Sequence, residues 1–439
     1  MKKTLLSLLI GISITSSAYA DSLFDVYQQA LQNDPATLQS KANKEAAFVD
    51  IDRSRAGLLP QISLSLSANK NFGDSESTTN NARLTLSQSL YDHANWLALD
   101  RAELVASRAD TNYARAMQDL IVRTVSTYFN TLQAQDDLEF AQAEKRAIER
   151  QLEQTKQRFE VGLTAITDVH EAQAQYDTSV AAEISAQNAV ETNLETLREI
   201  TGSYHNQLNV LNTKSFSASM PSPNDINDWL KLAEERNLQL LAANTSVDIA
   251  KFDIKSARAG HYPTVSLSAN ANSSDNGSTP VLTEDGVSYS DDRYNTYGVG
   301  ITVSVPLYSG GRTTAEVESA KYSFIANSEE RERIHRLVIR SVRSNYNDVK
   351  AAISRIKAFE QAVISAESAL KATEAGFDVG TRTIVDVLNS TRNVFDARRN
   401  LSRVRYGYVT SMMNLKLAAG MLTEQDVRDI DTGLTTQLN

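Results

Sequence analysis

Two acids sit at matching points of the chain, each where a helix should begin. Thr383 precedes Asp386 at the spacing of a capping box, in which hydroxyl and carboxylate each take the other's backbone N–H. Asp168, with Glu171 three residues on, reads the same way. An acid in a first helical turn is also favoured by the helix dipole. This chemistry is electrostatic, and nothing else in the chain points to catalysis. The five histidines (His93, His170, His205, His261 and His335) are dispersed, with none paired at metal-ligand spacing. No nucleophile elbow or phosphate loop is present, and Ser309-Gly310-Gly311-Arg312 reads as a strand-to-helix turn. No cofactor is implied, and an ATP site is missing, so energy for any transport must come from a partner.

The elements around these acids occur twice. Arg55-Ala56-Gly57-Leu58-Leu59-Pro60 returns 203 positions later as Arg258-Ala259-Gly260-His261-Tyr262-Pro263. Phe159-Glu160-Val161-Gly162, with Ile166, Asp168 and Val169, returns 218 positions later as Phe377-Asp378-Val379-Gly380, with Ile384, Asp386 and Val387. Units this long are too large for solenoid repeats, so the chain is a duplicated domain with an insertion in its second copy.

Residues 1–20 read as an export signal: Lys2 and Lys3, an apolar run over 5–14, and Ala18-Tyr19-Ala20 before a cleavage point. The chain has no cysteine, which excludes a disulfide framework, a metal thiolate and a lipid-anchored mature N-terminus. Its net charge of −10 disfavours nucleic acid as a partner. Beyond the signal, no stretch approaches the roughly 20 apolar residues of a membrane helix. The mature chain is then either soluble or inserted as a β-barrel.

Residues 93–161 and 312–375 contain neither glycine nor proline. Met117, Ile121, Val125, Tyr128 and Leu132, then Leu138, Ala141, Ile148, Leu152 and Phe159, step at close to the coiled-coil period. Four short segments break that pattern. Ile62, Leu64 and Leu66 alternate with serines, and Leu84, Leu86 and Leu90 follow the same beat. Val265 and Leu267 alternate with serines, and Tyr297, Val299, Ile301, Val303 and Val305 with small or polar residues. Each segment has about the length of a membrane-spanning strand, with one aliphatic face. Tyr91, Trp96, Tyr262 and Tyr308 stand at the inner ends, where an interfacial girdle belongs. Four strands cannot close a barrel, which needs about eight, so a barrel must be shared between chains. Half-buried strands of a soluble sheet show the same alternation, and a soluble coiled-coil scaffold fits the helical windows equally well.

The expected order is helix 22–57, hairpin 61–90, long helix 93–159, a turn and helix 167–201. A connector at 203–224 leads to helix 225–259, hairpin 263–305, long helix 312–376, a turn and helix 384–419. The hairpin linkers 73–81 and 273–294 read as polar tips. As domains, this gives a signal (1–20), a first repeat (21–202), an equatorial connector (203–224), a second repeat (225–420) and a loosely packed equatorial tail (421–439).

The duplicated unit, Ala-Gly-x-x-Pro before each hairpin, Ser/Pro-Leu-Tyr after each second strand, and Val-Gly-x-x-x-Ile-x-Asp-Val at both helix turns resemble the TolC family of outer-membrane factors over essentially the whole mature chain. The resemblance implies an α+β, predominantly α fold. It implies a homotrimer whose long coiled-coil helices form a periplasmic α-barrel continuous with a twelve-strand outer-membrane β-barrel, four strands from each chain. It also implies a passive, gated exit duct for tripartite multidrug efflux and type I protein secretion. Such ducts sit in outer-membrane lipid and dock periplasmic adaptor (membrane fusion) proteins and inner-membrane RND, ABC or MFS transporters.

Residue by residue, the resemblance places Asp386 in an acidic ring at the closed periplasmic end. Clustered like charges there would raise its pKa and select cations. Where the family commonly has a second acid one turn on, this chain has Asn389; where it has a turn tyrosine, this chain has Phe377, which cannot donate a hydrogen bond. Arg405 and Arg382 match gating arginines, with Thr167 and Asp168 as their partners, and Gln151 with Glu374 matches another inter-helix link. Adaptor tips are expected to dock around Gly162, Leu163, Thr164, Gly380, Thr381 and Arg382. Two other functions fit parts of the chain: an exported coiled-coil scaffold, which predicts a protein needing no detergent, and a periplasmic hydrolase, which the missing catalytic set disfavours.

Overall fold

Helix 22–57 is expected to be continuous, but Pro35 breaks it. The break gives α1 (Leu23–Asn33) and α2 (Pro35–Ala56), with Asp34 capping the second helix through Thr37. Proline lacks an N–H and is tolerated only in a helix's first turn, so a new helix starts there. The second repeat breaks likewise at Asn237, between α5 (Ile226–Arg236) and α6 (Leu238–Ala259), where the Asn237 side chain accepts from Leu240 N–H. The computed structural model describes residues 21–72, 77–205, 207–213, 216–276, 279–283, 286–290 and 293–435. The expected export signal, and parts of both hairpin linkers and of the tail, lie outside the described residues.

The first hairpin is β1 (Gln61–Asn71) with β2 (Ser77–Tyr91), followed by α3 (His93–Glu160) and α4 (Ile166–Thr201). A short β3 (Val210–Leu211) lies in the connector. The second hairpin is β4 (Thr264–Asp275) with β7 (Arg293–Ser304), and its linker adds a small hairpin, β5 (Thr279–Thr283) with β6 (Gly286–Ser290), that the polar composition hid. Then come α7 (Arg312–Asp378), α8 (Ile384–Ala418), α9 (Glu424–Asp431) and β8 (Leu434–Thr435). At 68 and 67 residues, α3 and α7 each run to about 100 Å.

The four long strands form one antiparallel sheet in the order β1-β2-β4-β7. Its register puts Ile62 opposite Leu86, Leu64 opposite Leu84, Leu267 opposite Ile301 and Val265 opposite Val303, so one face is mainly aliphatic, with Gln88 opposite Leu267 and polar residues toward the hairpin tips. Serines and threonines share the other face. A bulge between Ser89 and Tyr91 interrupts the beat at Leu90. The aliphatic face is bare: Leu66 is 73% and Val299 81% exposed. Among the described residues, no strand of the chain pairs with the outer side of β1 or of β7. Among the described residues, no helix is long and apolar enough to cross a membrane.

The wall of helices continues the sheet. Beside it the packing order is α2-α3-α6-α7, and in the other half of the molecule α4-α3-α8-α7. The main core sits between these halves, where Leu23, Tyr27, Tyr128, Phe129, Trp229 and Leu415 are all nearly inaccessible. Tyr128 Oη donates to Asn209 O (2.8 Å), and Arg123 grips the buried Asp34 through two bonds of 3.0 and 2.7 Å. The tail does not pack loosely as expected. Leu422 and Val427 are buried in this core, Lys416 pairs with Asp426, and β8 pairs with β3 of the connector. The tail's few apolar residues recur on one side of α9, a short amphipathic pattern that polar composition conceals.

Of the coiled-coil positions, Ile121, Val125, Tyr128, Leu132, Ala141, Ile148 and Leu152 are buried, while Phe159 is 41% exposed. Phe159 lies in the last turn of α3.

Candidate functional site

The two helical hairpins end in the same turn. After α3, Gly162 takes φ +74°, its N–H bonds Phe159 O (2.9 Å), and Leu163 N–H bonds Arg158 O (2.8 Å). After α7, Gly380 takes φ +78°, its N–H bonds Phe377 O (3.0 Å), and Thr381 N–H bonds Gly376 O (2.8 Å). A left-handed glycine just past a helix end satisfies carbonyls that the helix cannot. A Cβ on either glycine would meet nothing within 4 Å, so the constraint is backbone conformation and not space. Leu163, Val161 and Val379 around these turns are exposed.

The helices that follow begin differently. Thr383 forms the expected capping box: its Oγ1 accepts from Asp386 N–H (3.2 Å), and Asp386 accepts from Thr383 N–H (3.0 Å). That backbone bond, then the Thr383 hydroxyl and the nearby Arg382 charge, hold the Asp386 carboxyl below the usual carboxylate range. Within one chain the shift is therefore opposite to the rise expected of an acidic ring. The expected Asp168-x-x-Glu171 box is absent. Asp168 already lies inside the first turn, and the cap position belongs to Ala165, which has no side-chain acceptor. Asp168 instead takes the Thr164 hydroxyl. Thr167 and Asn389 are exposed beside their acids.

Within one chain the expected gating partners do not meet. Arg405 lies 21 residues into α8, about 30 Å of helix from the tip, and bonds Glu360 of α7 (3.1 Å); it does not meet Thr167 or Asp168. Arg382 stays at the tip, its side chain over Gly376, without joining Asp168 in the same chain. Gln151 and Glu374 are likewise not brought together: Gln151 Oε1 is buried without a hydrogen-bond partner among the described residues, and Glu374 is exposed.

Phe377 is not an idle substitute for a tyrosine. It is 8% exposed, packed with Ile148, Leu152, Ala172, Ile384, Val387 and Leu388 in a cluster joining both hairpins. The guanidinium of Arg158 lies over its ring, 4.6 Å from the centroid, and reaches Asp378 at 3.8 Å. A cation over an aromatic face thus links α3 to α7.

Arg158 was missed in the sequence, though a signal existed: its repeat mate is Gly376, so one copy carries a long cation where the other has no side chain. A Cβ on Gly376 would lie 2.7 Å from Arg382 Cγ, so the space one repeat gives to an arginine is crossed by another arginine in the other. A polar seam between α3 and α8 also escaped notice. Arg399 bonds the buried Glu144 twice at 3.0 Å, and Asp136 accepts from Tyr406 Oη (2.8 Å) and Ser402 Oγ. Burial pushes the Asp136 carboxyl up, and the Ser402 and Tyr406 hydroxyls only partly offset it.

A bare aliphatic sheet with open edges, carried on a wall of helices about 100 Å long that ends in paired turns, defines a membrane-anchored duct protein. Comparison with known proteins agrees. The model of the family described as outer membrane efflux protein matches residues 26–203 and 229–421. The chain is 45% identical to the outer membrane protein TolC of Vibrio cholerae, over 98% of this chain and 99% of that one. It is 42% identical to the outer membrane protein TolC of Escherichia coli, over 99% and 90%. Among solved structures, CusC superposes with a TM-score of 0.77 at 16% identity, over 91% of this chain and 92% of that one. The chain belongs to the outer membrane efflux protein family, and its sheet lies in the outer membrane.

Proposed function

We propose that three copies of the chain close into one gated duct through which drugs and proteins leave the cell without catalysis or a cofactor. The observation that carries this is the pair of open sheet edges beside a lipid-ready face: β1 and β7 must each find a strand, because unpaired N–H and C=O groups are too costly in a bilayer. Three four-stranded sheets joined edge to edge make a twelve-strand barrel with its polar face inward. The chain serves as the outer-membrane exit duct of efflux and type I secretion systems. Relatives named for secretion support the second role, among them the proteases secretion protein PrtF of Dickeya chrysanthemi, 28% identical over 98% of this chain and 94% of that one.

The gate in this reading is the pair of hairpin tips. Asp386 lines the periplasmic mouth with Asn389 beside it, so each chain brings one acid to the ring. Asp168, which no capping box holds, is offered to Arg382 of a neighbouring copy, and Gln151 to a neighbouring Glu374. Periplasmic adaptors dock on Gly162, Leu163, Thr164, Gly380, Thr381 and Arg382, where exposed apolar side chains flank both turns. Opening would then be a partner-driven shift of packed helices between two arrangements.

Planar-bilayer conductance of the detergent-extracted protein, wild type beside Asp386→Ala, tests this. A small cation-selective conductance that loses selectivity in the variant supports both duct and mouth. Conductance untouched by the substitution would reduce Asp386 to a helix cap, and no conductance from membrane-inserted protein would overturn the duct.

A further inference from the structure

The two free flanks of the helical wall carry opposite charge. In the half of the molecule away from the membrane the wall runs α4-α3-α8-α7, with α4 and α7 at its two ends; α1 also packs on α4 and α5 on α7. On α4, Val190, Leu197 and Ile200 face inward, and the exposed opposite flank presents Glu191, Glu195 and Glu199. On α7, Val349, Ala352 and Ile356 are buried, and Lys350, Ser354 and Lys357 are exposed on the other side. Most neighbouring charges are already engaged: Glu195 with Arg198, Glu360 with Arg405, Glu183 with Lys145. Among the described residues, Glu191, Glu199, Lys350 and Lys357 make no ion pair.

Their heights agree. Thr131 Oγ1 lies 3.4 Å from Asn193 O, tying α3 to α4. Tyr406 Oη lies 2.8 Å from Asp136, tying α8 to α3. Arg405 to Glu360 (3.1 Å) and Asn345 to Asn414 (3.3 Å) tie α7 to α8. Stepping across these ties at the common helical rise, and averaging the two between α7 and α8, sets Glu199 and Lys350, and likewise Glu191 and Lys357, within about 6–8 Å of the same level. Because α4 and α7 run in opposite directions, both pairs match at once.

We propose that α4 of one copy packs against α7 of the next, and that Glu191 with Lys357 and Glu199 with Lys350 key this seam. The inference rests on the trimer reading above and adds its register. The occupant of each flank is a second copy of the chain, because the same rotation that joins β7 to the next β1 brings α7 to the next α4. The charges also reject the wrong contact. Two α7 flanks would oppose lysine to lysine and two α4 flanks glutamate to glutamate, which disfavours a two-fold dimer and leaves the head-to-tail ring. An exposed pair alone contributes little, so the device acts through repetition at three seams.

The chain has no cysteine, which makes the test direct. Glu195→Cys with Ser354→Cys places two thiols at the seam; oxidation, or a short bismaleimide, should give linked dimers and trimers on denaturing gels. Glu195→Cys with Ser368→Cys, offset by about 20 Å of helix, should stay monomeric. In parallel, Lys350→Glu with Lys357→Glu should lower the trimer fraction of extracted protein at low salt by about tenfold. Adding Glu191→Lys and Glu199→Lys should restore it. A native-mass trimer whose paired cysteines never link, or whose reversal is neutral, would overturn the seam and leave the trimer standing. A wild-type chain that is not trimeric at all would overturn the trimer itself.

Discussion

The two hairpin tips share a motif and a turn, yet they hold their acids in different ways. Gly162 and Gly380 take nearly the same φ and close the same bonds. After α7, Thr383 locks Asp386 to its own backbone; after α3, Ala165 offers no cap and, among the described residues, the Asp168 carboxylate takes the Thr164 hydroxyl alone. The phenylalanines diverge too: Phe377 is buried in the tip cluster and Phe159 is 41% exposed. Duplication conserves what the backbone demands, because a left-handed turn accepts little but glycine. Side chains are free to diverge once the copies face different neighbours. One tip is thus internally capped and tightly packed, the other open to an adjoining surface.

The largest contrast should come from the phenylalanines. Phe377→Ala should cost roughly 3 kcal/mol through the cavity it leaves, read as a lower unfolding temperature and faster exchange across both tips. Phe159→Ala should stay within about 0.5 kcal/mol. Equal losses would show that α3 gains cover at its tip in the assembly.

Next come the glycines. Gly162→Val and Gly380→Val should each cost about 1–2 kcal/mol, because neither meets a steric block and both need the same positive φ. Unequal costs would mean that the turns differ beyond their caps. If drug resistance survives Gly380→Val at normal trimer level, adaptor docking at that turn fails.

Arg158→Gln should cost about 0.5–1 kcal/mol by removing the cation from the Phe377 ring, measurable as earlier thermal loosening of the contact between α3 and α7.

The caps should give the smallest effects, and of opposite sign. Thr383→Ala should speed hydrogen exchange in the first turn of α8 about fivefold, whereas Ala165→Thr should slow it in α4. The pH dependence follows from Asp386, whose folded pKa lies below its ordinary value of 3.8. Its stabilising contribution is complete above that ordinary value and is lost as pH falls through the lowered folded one. NMR titration of the first turn of α8 should show this, and in the assembled duct a curve displaced upward would reveal the repulsion among three acids.

The sequence by itself determined the elements and their duplication. Two windows without glycine or proline had to be helices, four alternating segments had to be strands with one aliphatic face, and repeated glycines had to be turns. Each of these follows from local rules of period and backbone freedom. Even the breaks at Pro35 and Asn237 and the amphipathic tail were written there, though the more obvious helical and polar patterns masked them.

Only the tertiary structure decided which side chains meet. Arg405 lies far from Asp168 because helix rise sets its height; Arg158 finds Phe377 because two hairpins 218 positions apart share one cluster. The charged flanks of α4 and α7 become legible as a pair only when contacts across four helices fix their level. Pairing across a fold depends on where separate elements stop and which flanks remain bare, and no local period encodes that.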